Sequence, residues 1–344
     1  MGAPVNRRGS WWLAVLVPLV LLAGLGYLCI GDGPGARELL RLLAAALPSV
    51  DAPDLVDRFI LLEIRLPRLL VAMFGGGALA MAGVVMQASF RNPLASPDLV
   101  GTAAGAAFGG ALAIVCELAR HSVVATPLLS LAGAMLVTWL VFVLAGAHGR
   151  TSATALLLAG VALNTLIGAL TAFVVTFRFA NYTASSEVLF WLMGGLDGRT
   201  WEHAAITVGG ALVFGALVLP RARDLDLMTL RDDSAHSLGL DAPRARRYLL
   251  WLACGLTATT VANTGGIAFV GLVVPHLARL LVGPTHRRLL PVAAVLGSVL
   301  LVGSDLCCRL APPDANLRLG VVTTLLGAPY FLFLLARHRR GEAL

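Results

Sequence analysis

The stretch that decides how this chain is organised is RARDLDLMTLRDDSAHSLGLDAPRARR, residues 221–247. This polar stretch interrupts a series of apolar runs of about 17–25 residues, each long enough to cross roughly 30 Å of hydrocarbon as a helix. The sequence therefore predicts an all-α, polytopic membrane protein with about ten transmembrane helices. The ten apolar segments lie near residues 11–30, 66–88, 98–118, 127–147, 154–177, 201–220, 248–263, 267–282, 291–310 and 318–336.

The composition supports a membrane protein. Of the 344 residues, 58% are hydrophobic and only 13% are charged, about half the charged fraction of a soluble domain. The first apolar run follows Arg7 and Arg8. Because this run is too long for a signal peptide and no clear small-residue cleavage site follows it, we expect a retained span.

The basic residues exclude several functions. All 26 are arginine, so the chain cannot contain the lysine of a Gly-x-x-x-x-Gly-Lys phosphate-binding loop. If the protein runs on ATP, another chain must hydrolyse it, and we do not expect this protein to be an enzyme. The net charge of +7 is spread over membrane loops and does not indicate nucleic-acid binding. The five cysteines have no metal-ligand spacing, so we expect no metal and no cofactor.

Arginine distribution predicts the orientation. With the amino terminus in the cytosol, 16 of the 26 arginines fall on the cytoplasmic side, as the positive-inside rule requires. Both termini are then cytoplasmic, and residues 31–63 form an outer stretch with a short helix predicted from Ala36 to Leu47. The eighth span is expected to be short and irregular, because Gly265 and Gly266 precede it and Gly271 and Pro275 interrupt it.

The string Arg65-Leu-Pro-Arg68 opens the second span on the outer side. Pro67 suits a first helical turn, and the two arginines lie three residues apart on one helical face. They either anchor the helix at the interface or form a cationic docking site for acidic side chains of an external protein, which Arg309 could join. Asp305 is spaced to pair with Arg309 at i+4.

Two stripes of small and polar residues have helical spacing. They suit close helix packing or, alternatively, the wall of a translocation path. The stripes comprise Gly160, Asn164, Gly168 and Thr171 in the fifth span and Gly320, Thr324 and Gly327 in the last span. His276 is a lone histidine and is expected to be structural.

The polar stretch itself predicts two short helices, one over Leu225–Leu230 and one within 234–240, with a turn between them. Gly239 suits a helix carboxy-terminal cap. Apolar residues in a charged cytoplasmic segment commonly mark a contact surface, which here would fill a groove on a partner. We expect four leucines to be exposed there: Leu227, Leu230, Leu238 and Leu240.

Taken in order, a series of strings resembles the FecCD family, the permease subunits of ABC importers for iron–siderophores, haem and cobalamin. The resemblance runs from about Arg65 to Arg337. Each string is weak alone, but their order and intervals are specific: RLPR at 65–68, RNPLASPD at 91–98, LAGVA at 158–162, WLMGG at 191–195, LGL at 238–240, FVGLVVPH at 269–276, HRRLLP at 286–291 and LGAP at 326–329.

The resemblance implies the type II importer permease fold, a single transmembrane domain over residues 1–344 with coupling helices at 221–247. It implies as partners a second permease subunit, two cytosolic ATP-binding subunits and an external substrate-binding protein. The resemblance implies that the binding protein docks on Arg65, Arg68 and Arg309. It also implies that the ATPase contacts Ala235, Leu238, Gly239 and Leu240. The implied translocation path includes Ser152, Thr154, Gly160, Asn164, Gly168, Gly320 and Thr324.

The chain departs from the family pattern at two positions. Arg318 stands between Leu317 and Leu319 where a Leu-Pro pair usually precedes the glycine, and Arg231 stands where a glycine is common. By resemblance the cargo is a ferric siderophore chelate, with haem or cobalamin as alternatives. A different class, an ion-coupled secondary carrier, would require paired intramembrane charges and an internal repeat, and neither is evident in the sequence.

Overall fold

The structure of this protein is a computed structural model that describes residues 11–30, 34–44, 54–146, 153–177, 182–230, 232–312 and 315–339. Within these ranges the regular elements are helices. They are α1 Trp11–Cys29, α2 Ala36–Ala44, α3 Leu55–Phe59, α4 Leu66–Phe90, α5 Thr102–Val115, α6 Leu118–His121, α7 Ala125–Gly146, α8 Ala153–Phe177, α9 Tyr182–Leu192, α10 Trp201–Val218, α11 Ala222–Met228, α12 Asp232–Ser237, α13 Ala242–Thr264, α14 Val270–Val282, α15 His286–Leu310 and α16 Leu319–Arg339.

Each of the ten predicted apolar segments coincides with one of these helices, which confirms the all-α class. Among the described residues, five helical stretches are long and apolar enough to cross a membrane, and four apolar helices are shorter. The predicted pair of short helices in the polar stretch is confirmed as α11 and α12. The predicted outer helix begins at Ala36 and is described as far as Ala44, so its expected end at Leu47 lies outside the described residues.

The helix α4 forms the centre of the bundle. Twenty of its 25 residues are buried, and it packs against α10, α13, α14 and α15. Small residues permit this close approach. A Cβ atom on Gly76 would lie 2.2 Å from the carbonyl oxygen of Gly297 on α15, and one on Gly83 would lie 1.9 Å from that of Gly271 on α14. Neither contact tolerates a side chain.

The second span begins earlier than the sequence predicted. The chain is helical from Leu55, through a π-helical segment Ile60–Arg65, into α4. Pro67 lies in the first turn of α4, as predicted, but the π-helical segment before it keeps the chain helical. In this wider turn the Leu66 amide donates a hydrogen bond to the carbonyl oxygen of Leu61, five residues earlier. Such π-helical segments accommodate an irregularity without ending a helix.

The connection between α13 and α14 is irregular, as predicted. Gly265 has a φ of 69°, a backbone conformation that favours glycine. A Cβ atom there would also lie only 2.0 Å from the carbonyl oxygen of Trp191, so no side chain fits at this position. Phe269 also has a positive φ, of 68°. The following helix α14 has only 13 residues and contains Pro275.

The bundle has an Arg68 end and a Leu238 end. The Arg68 end is where α1 and α15 finish and where α4, α10 and α16 begin. The Leu238 end carries α11 and α12. A second group of helices, α5, α7 and α8, packs beside the α4 group, with α13 in contact with both.

Candidate functional site: two ends of the helix bundle

A buried ion pair lies at the Arg68 end. The Nε and Nη2 atoms of Arg68 donate to the two carboxylate oxygens of Asp305, each at 2.8 Å, and Nη1 donates to Asp197 at 2.7 Å. The Tyr27 hydroxyl donates to Asp305 at 2.5 Å. Asp305 is fully buried, so the bidentate arginine and the phenol satisfy a carboxylate that has no access to water. This cluster joins α1, α4, α15 and the loop before α10.

Arg65 and Arg309 hold the carboxyl-terminal end of α1. Arg65 donates to the carbonyl oxygens of Leu28 at 2.6 Å and Pro34 at 2.7 Å. Arg309 donates to Tyr27 and Ile30 at 3.0 and 2.7 Å, and its guanidinium lies 4.6 Å from the centre of the Tyr27 ring. The last carbonyls of a helix lack intrahelical donors and carry partial negative charge. Both arginines therefore satisfy and neutralise this helix end.

Arg318 joins the same cluster from the start of α16. Its guanidinium lies 4.3 Å from the centre of the Phe190 ring and 3.4 Å from a carboxylate oxygen of Asp197. The Asp197 side chain is 64% exposed. Nearby, burial lowers the pKa of Arg199 to about 10, which leaves it protonated at neutral pH.

These residues surround a polar cavity of about 720 Å³ at the Arg68 end. Because the arginines outnumber the carboxylates, the cavity carries net positive charge, and concave surfaces of one sign concentrate opposite charge. The charged residues that line it are Arg65, Arg68, Asp197, Arg309 and Arg318.

The three arginines predicted to act together do lie at one cavity, but each is engaged inside the chain. Arg65 is 3% exposed, and its partners are backbone carbonyls. The predicted Asp305–Arg309 pair is wrong, because Asp305 bonds Arg68 and Arg309 bonds α1. The sequence reasoning missed Asp197 and Tyr27. The departure at Arg318 was the available signal that this surface differs from the family pattern.

At the Leu238 end, α12 finishes as the sequence predicted. Gly239 has φ of 86°. Its amide donates to the carbonyl of His236, and the amide of Leu240 donates to that of Ala235. This is the Schellman arrangement, which satisfies the last carbonyls of a helix.

The side chains of this segment divide between core and solvent. Ala235 is buried, whereas Leu238 is 54% and Leu230 is 42% exposed. The expectation that Leu227 and Leu240 are also exposed is wrong, because both are partly buried and Leu240 packs against the main core. The exposed surface is thus centred on Leu230 and Leu238.

The preceding helix α11 is fixed to the bundle. Asp226 accepts from the backbone amide of His286 at 3.0 Å and lies 2.7 Å from its Nδ1, so a carboxylate stabilises the amino terminus of α15. Arg91, at the end of α4, donates to the carbonyl of Met228 at 2.8 Å. These contacts join α11 to the start of α15 and to the end of α4.

The predicted path residues of α8 separate into packing and open positions. A Cβ atom on Gly160 would lie 1.9 Å from the carbonyl oxygen of Leu99, and Asn164 donates to that of Asp98 at 2.8 Å. Both residues therefore hold α8 on the turn that precedes α5. Gly168 is exposed, with open space around its Cβ position.

On α16, Gly320 is a packing position, since a Cβ atom there would lie 2.3 Å from the carbonyl oxygen of Met193. Thr324 lines a cavity of about 500 Å³ together with Asp98 and Gly320. Thr154 is exposed at the start of α8, and Ser152 lies outside the described residues. In the part of the chain that the structure describes, no three His, Cys, Asp or Glu side chains cluster as metal ligands.

Comparison with known proteins identifies the family. A model of the FecCD transport family matches residues 19–337. The chain is 44% identical to the Fe(3+) dicitrate transport system permease protein FecD of Escherichia coli strain K12, over 82% of this chain and 86% of that one. It is 40% identical to the cobalamin import system permease protein BtuC of Halobacterium salinarum, over 82% and 74%. It is 34% identical to the Fe(3+)-citrate import system permease protein YfmE of Bacillus subtilis, over 96% of each.

The fold agrees with this assignment. A solved structure of a metal-chelate type ABC transporter in an inward-facing conformation superposes with a TM-score of 0.80, at 30% identity, over 94% of this chain and 98% of that one. The apolar helices, the matched family model and these relatives lead to one conclusion. The chain belongs to the FecCD transport family and is a multi-pass membrane permease of an ABC importer.

Proposed function

We propose that this permease carries a ferric siderophore-type chelate into the cytosol in an ATP-driven importer. The observation that carries the proposal is the positively charged cavity at the Arg68 end of a chain 44% identical to a ferric dicitrate permease. Carboxylate-rich ferric chelates are anionic, and a cavity of positive potential raises their local concentration. The relatives named for cobalamin make that larger cofactor the second candidate, and haem is the third.

Uptake into liposomes tests this proposal. The permease is reconstituted with an ATPase that copurifies with it and with a binding protein that docks on it, and uptake is measured for radiolabelled ferric citrate, a hydroxamate-bound ferric ion, cobalamin and haem. We expect ATP-dependent uptake of a ferric chelate. Uptake of cobalamin or haem alone would reject the iron proposal, and uptake driven by an ion gradient without the ATPase would reject the importer class.

The partners we propose are a second permease subunit, two cytosolic ATP-binding subunits and an external binding protein. The lack of lysine in the chain supports ATP hydrolysis on separate subunits. The helices α8 and α16 leave large apolar side chains exposed, among them Phe173 and Phe333, which suits contact with a second subunit or with lipid. The arginine bias supports an outer Arg68 end with both termini cytosolic.

The cavity at the Arg68 end is our proposed docking site for the binding protein, with Arg65, Arg68 and Arg309 as the source of its positive potential. Replacing Arg309 with Gln keeps a donor for the α1 carbonyls but removes the charge. We expect about a tenfold loss of binding-protein affinity in lipid discs, since close charge pairs across an interface contribute at least this much. The salt dependence of binding should also fall.

The matched control is Arg120→Gln. Arg120 is exposed and lies in the α6 turn, outside the cavity lining. Its loss should leave affinity and salt dependence unchanged. If Arg309→Gln lowers the unfolding temperature but leaves docking unchanged, its function is confined to capping α1, and the docking proposal fails.

The open face of α8 and the Thr324 cavity are our proposed parts of the translocation path, together with Ser152 and Thr154 at the start of α8. Gly168→Leu should block uptake without lowering the free energy of unfolding, because the site has open space. Gly160→Leu, the control on the same helix, should destabilise the fold by about 1–3 kcal/mol through overpacking. Normal uptake by stable Gly168→Leu would remove Gly168 from the path.

A further inference from the structure

The helix that contains α4 continues beyond the Arg68 end of the bundle. Leu55–Phe59 and Ile60–Arg65 run into α4 with helical backbone angles at both joins. From Arg68 back to the first residue of this extension, residues 55–65, the chain makes thirteen steps, roughly 20 Å of helix. The neighbouring α15 ends at Leu310, five residues or about 8 Å beyond Asp305, the partner of Arg68. The extension therefore projects past its neighbour.

The extension exposes large apolar side chains. Leu55 is 81% exposed, Val56 63%, Phe59 58% and Ile64 48%. Apolar residues grouped in this way on a surface mark a contact with lipid or with another protein.

The position of the extension favours a protein contact over lipid. The helix α4 is enclosed by α10, α13, α14 and α15. At its start, Arg65 bonds the end of α1, and Arg68 bonds α15 and the loop before α10. An extension of this central helix leaves the bundle away from its lipid-facing rim. A partner that approaches the Arg68 end from outside the membrane can reach it.

One face of the extension forms a wall of the cavity at the Arg68 end. Ile60 and Ile64 line this cavity, and Val56 precedes Ile60 by four residues, which places it on the same helical face. Arg68 follows Ile64 by four residues toward the bundle. The cavity thus has apolar residues farther from the bundle and charged ones nearer to it. The end of α15 and the loop after it add further apolar lining: Leu310, Ala311, Pro312 and Leu317.

We propose that the extension is an apolar contact surface for the external binding protein, through Val56, Ile60 and Ile64. The inference rests on the proposed docking site and adds the chemistry of the partner, which is an acidic side chain flanked by apolar residues. The acidic group meets the arginines, and its apolar neighbours meet the extension. Contacts that exclude water around a central anchor are typical of strong interfaces, and the exclusion of water strengthens the charge pair within.

Serine variants test the apolar contact. Serine is close to valine and isoleucine in helix propensity, so Val56→Ser and Ile64→Ser should keep the extension helical. Affinity for the binding protein of the uptake assay is measured in lipid discs. We expect each variant to bind at least fivefold more weakly, because an apolar side chain gains free energy on burial. The control Leu118→Ser changes a 43% exposed leucine outside the cavity lining and should bind normally.

High salt separates this contact from charge attraction. Near 1 M salt the screening length falls to about 3 Å, so the difference in affinity between the wild type and Arg309→Gln should shrink. The deficit of Val56→Ser should persist. If Ile64→Ser lowers the unfolding temperature, the more exposed Val56 still decides the test.

The outcomes distinguish this inference from the docking site itself. Normal binding by Val56→Ser, with weaker binding by Arg309→Gln, would overturn the apolar contact and leave the docking site in place. Normal binding by both would reject both proposals. Normal binding by Val56→Ser with an altered oligomeric state of the permease would make the extension a subunit contact, and the inference would be wrong.

Discussion

The two ends of this permease differ in the kind of contact that their side chains make. At the Arg68 end, the Tyr27 phenol of α1 and charged side chains from α4, from α15 and from the residue before α16 meet within one cluster, and its central carboxylate is shielded from water. At the Leu238 end, the short helix α12 is capped by its own backbone and leaves Leu238 more than half exposed. One end is held by long-range polar contacts, whereas the other presents an apolar surface that no described residue covers.

The difference shows how polar groups can serve opposite purposes in one bundle. A buried bidentate pair is costly to break, because each charge has lost its hydration. Exposed leucines contribute little to the isolated chain, but they gain free energy when a partner removes them from water. We infer that the Arg68 end fixes the geometry of the helices and that the Leu238 end is shaped for association.

The largest expected effect is at the Arg68 end. Asp305→Ala leaves the guanidinium of Arg68 without its buried partner and should lower the free energy of unfolding by about 3–5 kcal/mol. Thermal unfolding in detergent measures it. The control Asp197→Ala removes the 64% exposed partner of the same arginine and should cost less than about 1 kcal/mol.

A double variant sharpens this result. Arg68→Met combined with Asp305→Ala removes both charges and should recover part of the loss. Equal destabilisation by Asp305→Ala and Asp197→Ala would mean that burial does not distinguish the two carboxylates. The view of this end as a rigid polar cluster would then be wrong.

An intermediate effect is expected at the anchor of α11. Asp226→Ala removes the carboxylate that accepts from the His286 amide and should cost about 0.5–2 kcal/mol, as other losses of helix amino-terminal caps do. The control Asp224→Ala breaks an i,i+3 pair with Arg221 and should cost less than about 1 kcal/mol. Hydrogen exchange of the first turn of α15 should rise in Asp226→Ala alone. Unchanged exchange there would contradict the anchoring of α15 by α11.

The smallest effect on stability should accompany a large effect on assembly. Leu238→Glu changes an exposed side chain, so unfolding should shift by no more than about 0.5 kcal/mol. Association with the ATPase, measured in detergent, should weaken at least tenfold, because a carboxylate would be buried in an apolar contact. Leu118→Glu makes the same change at a 43% exposed leucine of the Arg68 end and should leave association intact. Normal association of Leu238→Glu would contradict the prediction from the sequence that this segment contacts the ATPase.

Several features were readable from local sequence. The ten apolar segments predicted the helices, since the length of an apolar run reports directly on span length. Gly239 predicted the cap of α12, because the left-handed conformation at a helix end favours glycine. The string Arg65-Leu-Pro-Arg68 located two of the arginines that line the cavity at the Arg68 end, but the start of its span was misplaced because the π-helical segment before it leaves no compositional signal.

The sequence by itself determined the all-α membrane class, the family and the placement of short helices, because helix propensity, span length and caps depend on neighbours a few residues away. Only the tertiary structure decided that Arg68 pairs with Asp305, that Arg309 caps α1, and that Gly160 packs while Gly168 stays open. These contacts join residues as far as 282 positions apart. Helical periodicity predicts which residues lie on one face of a helix. Which other helix packs against that face depends on the packing of the whole bundle.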